Sequence, residues 1–195
     1  MENRWVSIGV EFIAIVFGVL LVLALNNWHE NRQKTEFVER NQAIMVSELR
    51  KNRDAILLSR DYHLKFLPEI IETRDAFKTG EDYSFPPYYG LQPPQTRNAG
   101  YQTTVASAVF AEMEPEASSE LIFAFDTIRK VHETHASYAN ILPSIGDDTG
   151  RFLNLVSYGF ADFLYTEDAA LRAIAPIIDK EPPPLRTTQT DKRPY

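Results

Sequence analysis

His132 and His135 lie three residues apart, a spacing that places two imidazoles on the same side of a helix. Such a pair can share a metal ion, but a third ligand is needed, and the zinc-protease order H-E-x-x-H is absent. The remaining histidines, His29 and His63, fall on a different predicted helix. We therefore expect exposed or hydrogen-bonded histidines, and we predict no metal site and no cofactor.

Asp147 and Asp148 could be a pair of calcium ligands, yet no ladder of further oxygen ligands follows them. Capping of the next helix is the better interpretation. The chain has no cysteine, which excludes disulfides and thiolate metal sites. It also lacks a G-x-S-x-G elbow and a glycine-rich phosphate loop. We predict no catalytic residue and no enzymatic activity, although nothing in the sequence forbids an enzyme built from scattered glutamates and histidines.

An apolar run of about twenty residues, 6–25, contains a single charged residue, Glu11. A helix of that length just crosses a hydrocarbon core of about 30 Å. A signal peptide has a shorter apolar core and a small-residue cleavage site, which the residues after this run do not offer. We therefore predict a permanent single-pass membrane anchor over residues 1–28.

Glu11 needs an explanation, because a carboxylate inside a membrane is costly unless it is paired, protonated or hydrated. Small residues flank it along one side of the predicted helix. We predict a face that contacts a partner helix, formed by Ser7, Glu11, Ala14 and Gly18. Two alternatives stay open: Glu11 reaches back to the headgroups near the helix N-terminus, where the helix dipole favours negative charge, or it lies on a proton path.

Trp5 and Trp28 bracket the run and are predicted to be interfacial anchors. Three basic residues follow the span closely, whereas only Arg4 precedes it. The positive-inside rule then favours a cytoplasmic domain, but long domains translocate largely regardless of charge. We expect a protein of the bacterial inner membrane whose soluble domain is periplasmic.

The formal net charge is −7, and the acidic excess lies after residue 80. An acidic domain is repelled by phosphate backbones, which argues against a nucleic-acid partner. We predict instead that the partners are other integral membrane subunits and the lipid bilayer, with no small-molecule substrate.

The remaining sequence has helical periodicity, and we predict an all-α fold. Residues 29–79 are interpreted as amphipathic stalk helices, continuous with the membrane helix. Residues 80–101 are a Pro/Tyr-rich loop, either a connector whose tyrosines pack on the domain or a partner-binding segment. Residues 102–180 are predicted to form a small helical bundle that packs on the stalk, and residues 181–195 an extended tail.

The stalk is predicted to bury one stripe of apolar residues: Val38, Met45, Leu49, Ile56, Leu57, Leu64, Ile70, Ile71 and Phe77. Pro68 should kink or end the helix, and Gly80 should stop it. The bundle is predicted to contain helices over 101–113, 115–140 and 149–165, and a last helix to about 180 that Thr166 caps and Pro176 kinks.

Two stretches resemble an uncharacterised bacterial family of single-span membrane proteins. The first is the Glu11-x6-Gly18-x-Leu20 pattern of the span, with its Asn26-Asn27-Trp28 junction. The second runs from Tyr101 through Ser107 into a leucine-spaced helix, and here Ala108 replaces the family's usual glycine. The resemblance implies a membrane-anchored architecture and no particular reaction.

The predicted architecture leads to two functional hypotheses besides the enzyme considered above. The first is an accessory or stabilising subunit of a larger membrane protein complex, such as a respiratory or photosynthetic one. The second is a homo-oligomeric membrane-anchored sensor or signalling module that associates through its stalk. A sustained heptad repeat over residues 38–77 would favour the second, but Gln42, Asn52 and His63 interrupt the seam.

Overall fold

The computed structural model describes the backbone of residues 2–179 and the side chains of residues 13–179. Over these residues the chain contains helices and no strand, which confirms the predicted all-α fold. The helices are α1 (Glu2–Thr79), α2 (Ala99–Ala106), α3 (Pro115–Ile141) and α4 (Thr149–Ile178), with short 3₁₀ turns at Val109–Glu112 and Leu142–Ser144. The tail predicted over residues 181–195 lies outside the described residues.

The described chain divides into two compact units between Gln42 and Ala43. In the first unit, the apolar side chains from Ile13 to Leu25 are all exposed, and none of the most apolar window is buried. By length and composition this one helix can cross a membrane, and a signal sequence has the same properties.

In the second unit, the buried side of α1 follows a regular alternation of steps of three and four residues. The buried positions are Met45, Leu49, Asn52, Ile56, Ser59, His63, Phe66, Ile70 and Thr73. We call this set the α1 seam. The predicted stripe was partly wrong, because Leu57, Leu64, Ile71 and Phe77 are exposed by 36–43%. The prediction counted apolar residues only. It therefore missed the buried polar residues of the seam and included apolar residues from an adjacent, exposed side of the helix.

Pro68 does not end α1, which continues to Thr79. Proline removes the hydrogen bond to the carbonyl of the residue four positions earlier, here Leu64. Both Pro68 and Leu64 are exposed, so water can hydrogen-bond to the freed carbonyl. Gly80, with a φ of 74°, follows the helix as predicted.

The ends of α3 and α4 confirm two predictions and correct one. Pro115 occupies the first turn of α3, and Asp148 caps α4 by accepting a hydrogen bond from the backbone N–H of Arg151 at 2.9 Å. Thr166 is not a cap, because α4 runs through it and its hydroxyl donates to the Asp162 carbonyl at 3.1 Å. Pro176 likewise lies inside the same continuous helix.

Ala108 divides the helix that was predicted over residues 101–113. Its φ is 54° and its ψ 21°, a left-handed backbone conformation, so α2 ends at Ala106 and a 3₁₀ turn begins at Val109. An L-residue with a Cβ is strained in this region, whereas glycine is not. The backbone conformation at this position therefore favours glycine over alanine.

We predict that Ala108→Gly stabilises the protein by about 1 kcal/mol, because it relieves the left-handed strain. The free energy of unfolding, measured by denaturant titration, checks this. The control is Ala136→Gly at an exposed interior position of α3, which should cost about 1 kcal/mol instead. An Ala108→Gly variant as destabilised as this control would contradict the assigned backbone conformation.

Candidate functional site

Residues 81–98 connect α1 to α2 without forming a helix or strand, so their backbone groups need partners elsewhere. The polar residues of the α1 seam, together with Tyr62 beside it, supply several of these partners. Asn52 donates to the Arg97 carbonyl and accepts from the Arg97 N–H, both at 2.7 Å. The Ser59 hydroxyl donates to the Gln92 carbonyl at 2.5 Å, and the Tyr62 hydroxyl donates to the Gly90 carbonyl at 3.0 Å. The seam therefore fixes the path of the loop.

His63 is the seam residue at the centre of the unit, and its side chain is fully buried. Its Nε2 lies 2.7 Å from the Leu91 carbonyl oxygen. A carbonyl oxygen only accepts hydrogen bonds, so Nε2 carries a proton. The other ring nitrogen, Nδ1, lies 3.0 Å from Oε1 and 3.1 Å from Oε2 of Glu167, which α4 places opposite.

His135 approaches the same carboxylate from α3. Its Nδ1 lies 2.9 Å from the Val131 carbonyl oxygen one turn earlier and therefore carries the proton. Its Nε2 is left with a lone pair and points toward Oε1 of Glu167 at 3.8 Å, beyond hydrogen-bond distance. Both Nε2 of His135 and Oε1 of Glu167 are buried without a hydrogen-bond partner.

Aromatic rings enclose this buried centre. The His135 ring stacks on Phe163 with centroids 3.8 Å apart and planes inclined by 10°. His63 contacts Phe160 at 4.9 Å and Phe163 at 5.2 Å between centroids. Such apolar walls keep water out and strengthen every electrostatic interaction inside. Beside the centre, Arg60 and Asp168 form an ion pair at 2.6 Å between α1 and α4.

Desolvation dominates the electrostatics of His135. Burial lowers the pKa of His135 from 6.5 to about 4, and the neighbouring His63 adds to the effect, against the raising influence of the Val131 hydrogen bond. His135 is therefore neutral at pH 7. Glu167 and Nδ1 of His63 both present lone pairs at hydrogen-bond distance, so a proton or another cation must lie between them.

The structure places the sequence-predicted residues as follows. His132 lies outside the buried centre, and its Nε2 is hydrogen-bonded to the Thr96 hydroxyl. Ala14 and Gly18 of the predicted helix-contact face are exposed, and Trp28 is 60% exposed with the Arg32 guanidinium 5.8 Å from its ring centroid. The side chains of Trp5, Ser7 and Glu11 lie outside the described residues.

Sequence reasoning did not identify the buried centre, although one signal was present. Glu167 lies on the strongly apolar face of α4, in register with Phe160, Phe163 and Ile174. His63 likewise falls on the three-and-four repeat of α1. A titratable residue at a core position of a helix needs a buried partner, and two such residues on different helices indicate that they meet.

Comparison with protein-family models, with curated proteins and with solved structures finds no match to this chain.

We predict that Asn52→Ala costs about 1–3 kcal/mol of stability, because it removes the two hydrogen bonds that this buried side chain makes to the Arg97 backbone, each contributing about 0.5–1.5 kcal/mol. Denaturant unfolding gives the energy, and hydrogen exchange at the Arg97 amide should accelerate. Lys51→Ala, at the adjacent exposed position, is the matched control and should change stability by less than about 0.5 kcal/mol. Unchanged exchange at Arg97 would show that the loop does not depend on Asn52.

We predict a pH-dependent stability contribution from His135. Its native pKa of about 4 lies below the 6.5 of the unfolded chain, so between these values the unfolded state binds the extra proton. Stability therefore falls as the pH drops from 6.5 to 4, by up to about 3 kcal/mol from this residue.

The stability advantage of the wild type over His135→Gln should shrink across that pH range, measured by denaturant unfolding at a series of pH values in the presence of a metal chelator. His29→Gln, at an exposed site in the first unit, serves as the comparison. Parallel pH profiles for the wild type and His135→Gln would refute the burial-driven shift.

Proposed function

We propose that this chain is an accessory subunit that stabilises a larger membrane protein complex, with a respiratory or photosynthetic assembly as first candidate. Its N-terminal helix would anchor it in the bacterial inner membrane and contact neighbouring subunits. The observation that carries the proposal is the continuous exposure of apolar side chains from Ile13 to Leu25, among them Phe17, which is 66% exposed. A surface of that kind needs lipid or protein to cover it.

The small residues of this helix support a docking role. A Cβ built at Gly18 would meet no atom within 4 Å, so the surface around this residue is free for an approaching helix. Ala14 lies one turn earlier and is also exposed. Helices in membranes pack closely through small residues of this kind, which supports contact with an integral membrane partner.

The C-terminal end of the apolar segment carries residues that are typical of the membrane–water interface. The exposed Trp28 ring carries the Arg32 guanidinium over its face, a pair that suits the headgroup region. We propose that the soluble unit lies on the periplasmic side, since long domains translocate largely regardless of flanking charge.

The α1 seam bears on the alternative function, a homo-oligomeric sensor that associates through its stalk. From Met45 to Thr73 the seam is buried within its own unit, and Phe66 and Ile70 pack with residues of α3, α4 and the loop. It is therefore not available as a coiled-coil surface for a second copy. This favours the accessory role. The buried centre is 0–3% exposed, which does not suit access by a substrate, so we propose no enzymatic activity.

Gentle detergent extraction followed by native gel electrophoresis and mass spectrometry tests the proposal. We expect a stoichiometric complex with other membrane proteins, and an intact mass that retains the N-terminal segment. A free monomer would refute the accessory role. A water-soluble mature form that lacks the apolar segment would refute the anchor itself.

Glu11→Leu should leave membrane insertion intact but reduce the amount of partner that co-purifies, because it removes the charged member of the predicted contact face. Ile13→Ala, about 160° away around the helix, is the control and should not affect co-purification. Undiminished recovery of the partner with Glu11→Leu would count against a role for this face.

A further inference from the structure

We propose that His63, His135 and Glu167 bind one divalent transition-metal ion of the zinc type inside the second unit. The ligand atoms are Nδ1 of His63, Nε2 of His135 and the carboxylate oxygens of Glu167. One such atom from each residue lies within 4.8 Å of the others. The proposal is independent of the membrane-anchored function, because all three residues belong to the second unit.

The first argument is the direction of the lone pairs. Each imidazole uses one nitrogen to donate to a backbone carbonyl, Leu91 for His63 and Val131 for His135. The second nitrogen of each ring is therefore free to coordinate, and both face Glu167. Histidines that bind metals typically have this outer hydrogen bond, which fixes the tautomer and orients the ring.

The second argument is the pair of unsatisfied atoms. Nε2 of His135 and Oε1 of Glu167 are buried, lie 3.8 Å apart and have no hydrogen-bond partner. Leaving buried polar atoms unpaired costs about 1–3 kcal/mol each. A proton shared between His63 and Glu167 leaves the lone pair of His135 without a partner. It also does not explain why this lone pair faces the carboxylate at 3.8 Å, beyond hydrogen-bond distance. A cation that contacts all three residues satisfies both.

The third argument is spacing. Bonds of about 2.0–2.1 Å to nitrogen and oxygen put neighbouring ligand atoms of a tetrahedral zinc ion about 3.4 Å apart. The separations here are 3.0 Å and 3.1 Å from Nδ1 of His63 to the carboxylate oxygens, and 3.8 Å from Nε2 of His135 to Oε1. These distances bracket the required value, and the two imidazole nitrogens, which lie within 4.8 Å of each other, would have to close toward it when an ion binds.

The donor set also selects the ion. Two neutral imidazoles and one carboxylate suit zinc and similar transition metals, whereas Mg²⁺ and Ca²⁺ prefer shells of oxygen. The aromatic walls formed by Phe160 and Phe163 close the centre. An ion held here would link α1, α3 and α4 and so stabilise the fold.

The test uses the full-length protein in detergent, produced in zinc-supplemented medium with a histidine-free tag. Elemental mass spectrometry should find one zinc per chain in the wild type. His132→Gln, on the same helix but outside the centre, is the matched control and should retain the ion. His135→Gln should lose it, with zinc affinity lowered on the order of 100-fold or more. Zinc content unchanged in His135→Gln would overturn the proposal.

A second measurement is needed for two cases: slow entry of the metal ion into the buried site, and failure of the His135→Gln variant to fold. Metal-free wild type is equilibrated with Zn²⁺, Co²⁺ or Mg²⁺ in denaturant near its unfolding midpoint and then dialysed. We expect Zn²⁺ to raise the thermal midpoint with saturation at one equivalent, Mg²⁺ to leave it unchanged, and Co²⁺ to give the intense visible absorption of a tetrahedral site. If a shared proton alone bridges His63 and Glu167, none of these effects occurs and the proposal is wrong.

Discussion

The backbone of residues 81–98 determines what the buried side of α1 must contain. This segment forms no regular structure, yet it lies against the helix, so its carbonyl and N–H groups need partners that a purely apolar surface cannot provide. Asn52, Ser59 and His63 meet that need by hydrogen bonding to Arg97, Gln92 and Leu91 respectively. The path of the loop therefore depends on the polar residues of the seam, and the burial of those polar residues depends on the loop.

His63 extends this relation to the rest of the unit. One ring nitrogen is used by the loop and the other faces Glu167 on α4, while His135 on α3 completes the group. Three charged or polar residues in a shell of aromatic rings are stable only as a set, because any one left unpaired in that environment is costly. The loop, α1, α3 and α4 thus converge on one carboxylate.

Composition and periodicity predicted the all-helical fold, the exposed apolar helix, the Asp148 cap and the position of Pro115, because these depend on local chemistry. The effect of Pro68 was harder to predict: α1 continues through it, and the Leu64 carbonyl that loses its hydrogen bond is exposed to water. The buried centre was missed because His63, His135 and Glu167 are far apart in sequence. Each looks like an isolated polar residue until its register on its own helix is compared with the others.

The sequence distance between the members of the centre has a consequence for synthesis. His63 and Glu167 are 104 residues apart, and α4 is the last described helix to leave the ribosome. Until α4 emerges, the nascent chain exposes His63, His135 and apolar residues of the α1 seam that α4 later helps to cover. Completion of the chain is therefore what closes the interior, and an interrupted translation product would present a degradable, hydrophobic face to cellular quality control.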